Sequence, residues 1–254
     1  GYVNEKNSAK EMAGHIGTLH HVLQMKEKNI SPSNEYFYNQ AFYQDEPLAD
    51  PAFESLFFLT KFAHDDGMVV LHGGEGADEI FCGYDGYRNW MRRERRFWIP
   101  LCNLPRIFGT VGYKVARVLP FHKWGKIADV LRRRSIGQEF FMSEAIGFYD
   151  HEKQQVLSAA FRRQVTGLDS FDQVRPFYDR LSEIMPDATF LQTLTYIELR
   201  LRLPELLLTR ADKLSMANSV EIRVPFLDRK LVEFALSVPE SFKLRHNISK
   251  EPLK

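Results

Sequence analysis

The sequence predicts an α/β protein: a parallel sheet with crossover helices in the first third of the chain, then an extended half built of helices alone. Three observations carry that prediction. The apolar run at residues 68–71 (MVVL) is followed at once by Gly73, Gly74 and a helical segment, the way a fully buried parallel strand enters a helix. From residue 6 to residue 81 the pattern alternates helix, strand, helices, strand, helix, as crossover connections require. Beyond Tyr84 the strand signals stop. The domain reading is accordingly 1–90 for the α/β part and 91–254 for the helical part.

Taken in order, residues 6–15 read as a short helix with Ala9, Met12 and Ala13 on one face, closed by Gly17 where a C-terminal glycine is favoured. Residues 19–25 (LHHVLQM) read as a strand; His20 and His21 then point to opposite faces and are no metal pair. Residues 31–44 carry serines at the cap and an aromatic helical body, Tyr36, Phe37, Tyr38, Phe42 and Tyr43, read as core. Residues 45–51 (DEPLADP) form a proline-punctuated loop. Pro51 suits the first turn of a helix over 52–63 with Phe53, Leu56, Phe57 and Leu59 inward. Asp65, Asp66 and Gly67 turn the chain into the strand at Met68. Two convincing strands make a poor sheet, so further strands are expected upstream of Gly1. The ends agree with that expectation: the chain opens on GYV without methionine and stops in what reads as a starting helix, so a fragment of a longer protein is expected.

Residues 87–98 interleave Arg88, Arg92, Arg93, Arg95 and Arg96 with Trp90, Phe97 and Trp98. Arginine with aromatics can bind single-stranded nucleic acid, but no binding motif accompanies the cluster, and a solvated helix face with snorkelling arginines is the preferred reading. Residues 100–185 read as short helices broken at Pro105, Pro120, Gly125, Gly147, Gly167 and Pro176, and residues 189–208 as a long amphipathic helix interrupted at Pro204.

Composition narrows the function. Hydrophobic residues at 44% and charged residues at 26% are those of an ordinary globular protein. Lys plus Arg (34) nearly cancels Asp plus Glu (33), so no global field recruits nucleic acid or an anionic membrane. Two cysteines, Cys82 and Cys102, match no zinc spacing and suit a reducing compartment. No apolar run approaches the ~20 residues of a membrane helix, and a cytoplasmic location is expected.

Two stretches carry chemistry. In residues 68–84 (MVVLHGGEGADEIFCGY) a glycine turn between strand and helix suits phosphate, because glycine lets backbone N–H groups approach closely. Glu75, Asp78 and Glu79 in the first turns read either as ordinary capping acids or, beside phosphate, as ligands of a divalent cation such as magnesium. The second stretch, residues 209–228 (TRADKLSMANSVEIRVPFLD), packs Arg210, Asp212, Lys213, Glu221, Arg223 and Asp228 among small and apolar residues. Charges near buried positions need partners. Glu221 and Arg223 share a face if that segment is extended, and read as a structural pair. Lys213 reads either as a mate of Asp212 or, more sharply, as a lysine with room to reach a phosphate or a carboxylate.

Together these stretches resemble the synthetase domain of the asparagine synthetase family. Its turn SGEGADELFGGY is matched by GGEGADEIFCGY at 73–84, with Gly73 in the serine position, and its signature RADKxSMAxSxExRVPFLD by residues 210–228. GTLHH at 17–21 and DEPLADP at 45–51 are similar to two further family motifs, and the likeness is weakest over 100–186. The resemblance implies a PP-loop ATP-pyrophosphatase fold, adenylation of a carboxylate, usually aspartate, by Mg-ATP with release of pyrophosphate, and attack by ammonia from a glutaminase domain. Carried over by position, Gly73 and Gly74 contact ATP, Asp78 holds magnesium, and Glu75 and Lys213 are catalytic: Glu75 takes a proton from ammonia and Lys213 steadies charge nearby. The family's SGGxDS loop, its central first strand and its glutaminase domain are absent and expected before Gly1; the lysine of a later RxK motif is expected after Lys254. A homodimer stays open. β-Lactam synthetases of this class place a tyrosine where Glu75 stands and a glutamate where Lys213 stands, so Glu75 favours ammonia without excluding a lasso-peptide cyclase or sugar amidotransferase. A scaffold that keeps the fold without the chemistry is the reading from another class.

Overall fold

A computed structural model describes residues 6–24, 41–44, 50, 52–119, 121–143, 146–244, 250 and 253. The chain divides into two compact units, one comprising Gly1–Leu71 with Arg210–Arg223, the other His72–Thr209 with Val224–Lys254. Mixed α/β structure is present, mostly helical, with one small parallel sheet.

In the first unit, the helix Lys6–Ile16 ends on Gly17 at φ +71°, and the Thr18 N–H reaches back to the Ala13 carbonyl at 3.0 Å. This is the left-handed glycine stop expected from the sequence. The helix Phe53–Asp65 is entered through Asp50, whose carboxylate accepts from the Ala52 N–H at 2.9 Å. Gly67 at φ +82° then turns the chain into strand β1 (Val70–His72). Its partner β2 (Glu221–Arg223) comes from the far end of the sequence and follows the helix Thr209–Met216. The Glu221 N–H donates to the Val69 carbonyl at 2.9 Å, and the Glu221 and Arg223 side chains pair at 2.8 Å on the exposed face, as the alternation predicts.

Several expectations are corrected in this unit. Residues 19–24 have no regular structure and are exposed, Leu19 and Val22 included, where a strand is expected. A short run makes a strand only where a neighbour supplies hydrogen bonds, and β1 pairs with β2 instead. Residues 68–71 are not a fully buried strand: Met68 and Val69 are exposed and Val70 and Leu71 half-buried. Leu59 lies 49% exposed while Thr60, one position on, is sealed. Phe42 and Tyr43 are exposed rather than core; Tyr36, Phe37 and Tyr38 lie outside the described residues.

In the second unit, a short helix, Ala77–Phe81, leads into Asp85–Arg93 and a wider π-helical turn, Glu94–Trp98. One apolar cluster joins Cys82, Tyr87 and Trp90 to Phe140, Met142, Leu191 and Leu194. A second sets Ile80 and Phe81 against Ala235 of the helix Arg229–Ser237. A third gathers Phe171, Val174 and Ile197. The arginine-rich stretch behaves as a helix whose Trp90 is buried and whose Arg88 pairs with Asp85.

Gly125 does not break its helix, which runs Phe121–Ile136, and Pro176 sits in the first turn of Arg175–Ile184, where its missing N–H costs nothing. The long helix expected over 189–208 ends at Arg200. A π-helical stretch, Leu203–Leu208, carries Pro204 at its start, and the Thr209 hydroxyl donates to the Pro204 carbonyl at 2.8 Å. The break precedes the proline because its ring crowds the preceding turn.

Candidate active site

Gly73, Gly74, Glu75 and Gly76 form the turn between β1 and the 77–81 helix. Gly76 adopts φ +93°, and a Cβ there would fall inside the side chain of Leu227, so both conformation and space require glycine. Leu227 belongs to the 3₁₀ turn Pro225–Leu227, and Asp228 caps the next helix by accepting from the N–H groups of Lys230 (3.0 Å) and Leu231 (3.2 Å). The VPFLD end of the second stretch is thus the mould against which the acid loop is cast.

Glu75 is half-buried in that turn, Gly73 half-buried and Gly74 exposed, with open space where a Cβ of Gly74 would stand. Asp78 faces Lys250, Oδ1 to Nζ 2.9 Å. Gly83 lies beneath this pair, its N–H donating to the Asp78 carbonyl at 2.9 Å, and any Cβ on Gly83 would collide with the Asp78 carboxylate. Between them Cys82 takes the left-handed conformation, φ 55°, and burial pushes its thiol up to about 12.

Glu79 points the other way. It is sealed, accepting from the Tyr84 hydroxyl at 2.8 Å and lying 3.3 Å from Arg202 Nη1. The same Arg202 nitrogen is 3.4 Å from Glu198, which also accepts from the Ser143 hydroxyl, and the guanidinium sits 4.6 Å from the Tyr84 ring centroid. Burial raises both carboxyls above their ordinary value, and one guanidinium faces two acids. Of the three acids in the loop, Glu79 is therefore structural.

Lys213 belongs to the other unit, half-buried on the helix Thr209–Met216. That helix is positioned by its own neighbours. Arg210 pairs with Asp50 of the DEPLADP loop. The Asn218 amide donates to the Phe57 carbonyl at 3.1 Å and to Thr60 at 3.0 Å, while the Thr60 hydroxyl donates to the Leu214 carbonyl at 3.2 Å. Two of the sequence motifs thus meet inside the first unit, and the acid loop meets the VPFLD turn inside the second.

Among the described residues no group of three or more His, Cys, Asp or Glu side chains gathers into a metal cage. The donors that remain, Glu75 and Asp78, are hard carboxylate oxygens on one turn. That set fits magnesium held mostly by phosphate and water rather than by protein. Sequence reasoning missed Lys250 and Arg202. Arg202 has a local signal, four residues after Glu198 on one helical face; Lys250 has none, being joined to Asp78 only through the fold.

Residues 2–254 match the asparagine synthase family. The chain is 31% identical over 256 residues to asparagine synthetase (glutamine-hydrolyzing) 1 of Bacillus subtilis (strain 168), a match covering 99% of this chain and 37% of the relative. It is 44% identical over 247 residues to asparagine synthetase (glutamine-hydrolyzing) 3 of the same organism, covering 96% of this chain and 32% of that protein. A more distant match is amidase chyE of Penicillium rubens, 24% identical over 251 residues, covering 96% of this chain and 36% of the relative. The chain therefore spans about a third of the length of these relatives. With the acid loop, the supporting turn and a match that runs from residue 2 to the last, this chain belongs to the asparagine synthase family.

Proposed function

We propose that this chain is the synthetase part of an ATP-dependent amide-forming ligase that adenylates a carboxylate, aspartate being the expected one, and amidates it with ammonia derived from glutamine. The observation that carries the reading is the acid loop itself: Glu75 on the glycine turn and Asp78 on the helix it enters, with the ammonium group of Lys250 at 2.9 Å from Asp78. Family membership supports it.

In this reading the substrate carboxylate oxygen attacks the α-phosphorus of ATP, the bond to the β-phosphate oxygen breaks, and pyrophosphate leaves. Ammonia then attacks the acyl carbon, the bond to AMP breaks, and a proton passes to Glu75 as general base. Gly73 and Gly74 approach the nucleotide through their backbone. Asp78, with Glu75 nearby, would hold magnesium, which supplies charge neutralisation on the pyrophosphate. Lys250 sets a positive charge beside Asp78 when the cation is away, and Lys213 steadies developing negative charge. The PP-loop fold with its central first strand, the division at 1–90 and 91–254, a glutaminase domain upstream, a homodimer and a cytoplasmic location belong to the same proposal.

The test is pyrophosphate release by the full-length protein with Mg-ATP across aspartate and other carboxylates. Glu75→Gln is expected to abolish amide formation in a protein that still melts like the parent. Unchanged product formation in that variant removes Glu75 from its role. No release with any carboxylate favours the non-catalytic scaffold, and release with a substrate other than aspartate moves the protein toward the cyclases, sugar amidotransferases or amidase-named relatives.

A further inference from the structure

A cavity of about 430 Å³ opens in the second unit among the 121–136 helix, the 190–200 helix and residues 146–150. That size lies within the range of small-molecule sites, roughly 300–1,000 Å³. Neither Glu75 nor Asp78 lines it. Its wall is largely apolar, with Phe141, Phe171, Ile197 and Leu201, and Phe148 is exposed at its rim.

Arg133 is set into this wall, 95% buried. Its Nε donates to Asp129 at 2.7 Å, and its guanidinium lies 5.5 Å and 4.9 Å from the ring centroids of Phe141 and Phe171. Its Nη1 is buried with no hydrogen-bond partner among the described residues. On the same wall Arg202 Nε is buried and equally without a partner, its Nη1 being occupied by Glu79 and Glu198. Buried donors of a charged group are rarely left unmade, and each such case calls for an acceptor. The wall offers surplus donors, so the complement is an acceptor that a ligand brings.

The unmade donors, not a surplus of charge, decide which acceptor. Asp129, Asp150 and Glu198 balance Arg133, Lys153 and Arg202 on the wall, and the one unmade Arg133 donor matches a single carboxylate rather than the several oxygens of a phosphate. A single negative charge with an apolar body fits the remaining donor and the rings. We propose that this cavity binds a small monocarboxylate with an aromatic or branched body, its carboxylate on Arg133 and its body among Phe141, Phe148 and Phe171. This site is separate from the proposed ligase chemistry and is tested without it.

The probe is 3-phenylpropionate, with 3-phenylpropanamide as its uncharged counterpart, titrated calorimetrically into the full-length protein without ATP. The acid is expected to bind at about 1 mM or tighter, and the amide at least about tenfold more weakly, as loss of a charge-assisted bond implies. Arg133→Met should remove the preference for acid over amide. Because that change strands Asp129, the paired variant Arg133→Met with Asp129→Asn is measured beside it. Val174→Phe, which fills the cavity without touching charge, should weaken acid and amide alike. No binding of the acid at 10-fold the expected concentration overturns the proposal, as do equal affinities for acid and amide or an acid preference surviving in the paired variant. Failure here leaves Glu75 and the pyrophosphate assay untouched, and failure there leaves this titration untouched.

Discussion

Asp78 and Glu79 stand side by side on the 77–81 helix, about 100° apart around its axis, yet one faces a lysine in partial contact with water and the other an arginine sealed from it. The Asp78–Lys250 pair keeps 31% and 36% of its side-chain surface; the Glu79–Arg202 pair keeps 1% and 11%. A pair open to water is cheap to break and can exchange its lysine for another cation. A sealed pair cannot, because breaking it leaves an uncompensated charge. Two acids of the same loop thus divide the labour, one available for chemistry and one holding the helix in place.

The largest way to break this contrast is Arg202→Met. It leaves Glu79 and Glu198 sealed without a counter-charge and is expected to cost about 3–5 kcal/mol of stability, read as a shift in guanidinium unfolding at neutral pH. A loss under about 1 kcal/mol would place Arg202 among surface pairs.

Next is pH. Burial first, against the opposing pull of Ser143 and Arg202, raises the Glu198 carboxyl above 4.5, and Glu79 is raised likewise. The folded state therefore keeps these protons longer than the unfolded chain. Their contribution is complete below pH 4.5 and falls as pH rises toward the folded values. Glu198→Gln carries no such proton, so its unfolding free energy should decline less steeply above pH 4.5 than the parent's. Parallel slopes would mean that Glu198 holds no proton in the fold.

The smallest effect on folding is expected on the open side. Lys250→Met removes a pair that keeps a third of its surface and should cost no more than about 1 kcal/mol, while slowing pyrophosphate release. A thermal melt and the release assay on the same preparation read both. A variant that unfolds, or one that is fully active, would erase the distinction between the two faces.

The legible part of this molecule is the part written in neighbouring residues. The acid loop, its glycines, the Gly17 stop and the Glu221–Arg223 pair all declare themselves over a few positions, because turns, caps and alternation are local physics. The illegible part depends on partners far along the chain. Glu79 reads as one more first-turn acid until Arg202, 123 positions away, is seen beside it. Residues 19–24 have the make-up of a short strand, but nothing in those residues says whether another strand will be adjacent. Leu59, expected inward, lies exposed while Thr60 is sealed, its hydroxyl 3.2 Å from the Leu214 carbonyl 154 positions away. Arg133 belongs to the same class: no short stretch foretells that a cavity will surround it.

Gly83 extends the reaction's footprint to an atom that is not there. The carboxylate of Asp78 lies where any side chain on Gly83 would have to stand. A methyl group at this position would evict the acid without altering a single charge, so Gly83→Ala is expected to behave as a lesion in Asp78 and to weaken the magnesium dependence of pyrophosphate release. A screen that ranks positions by the chemistry of their side chains would pass over the residue whose contribution is to have none.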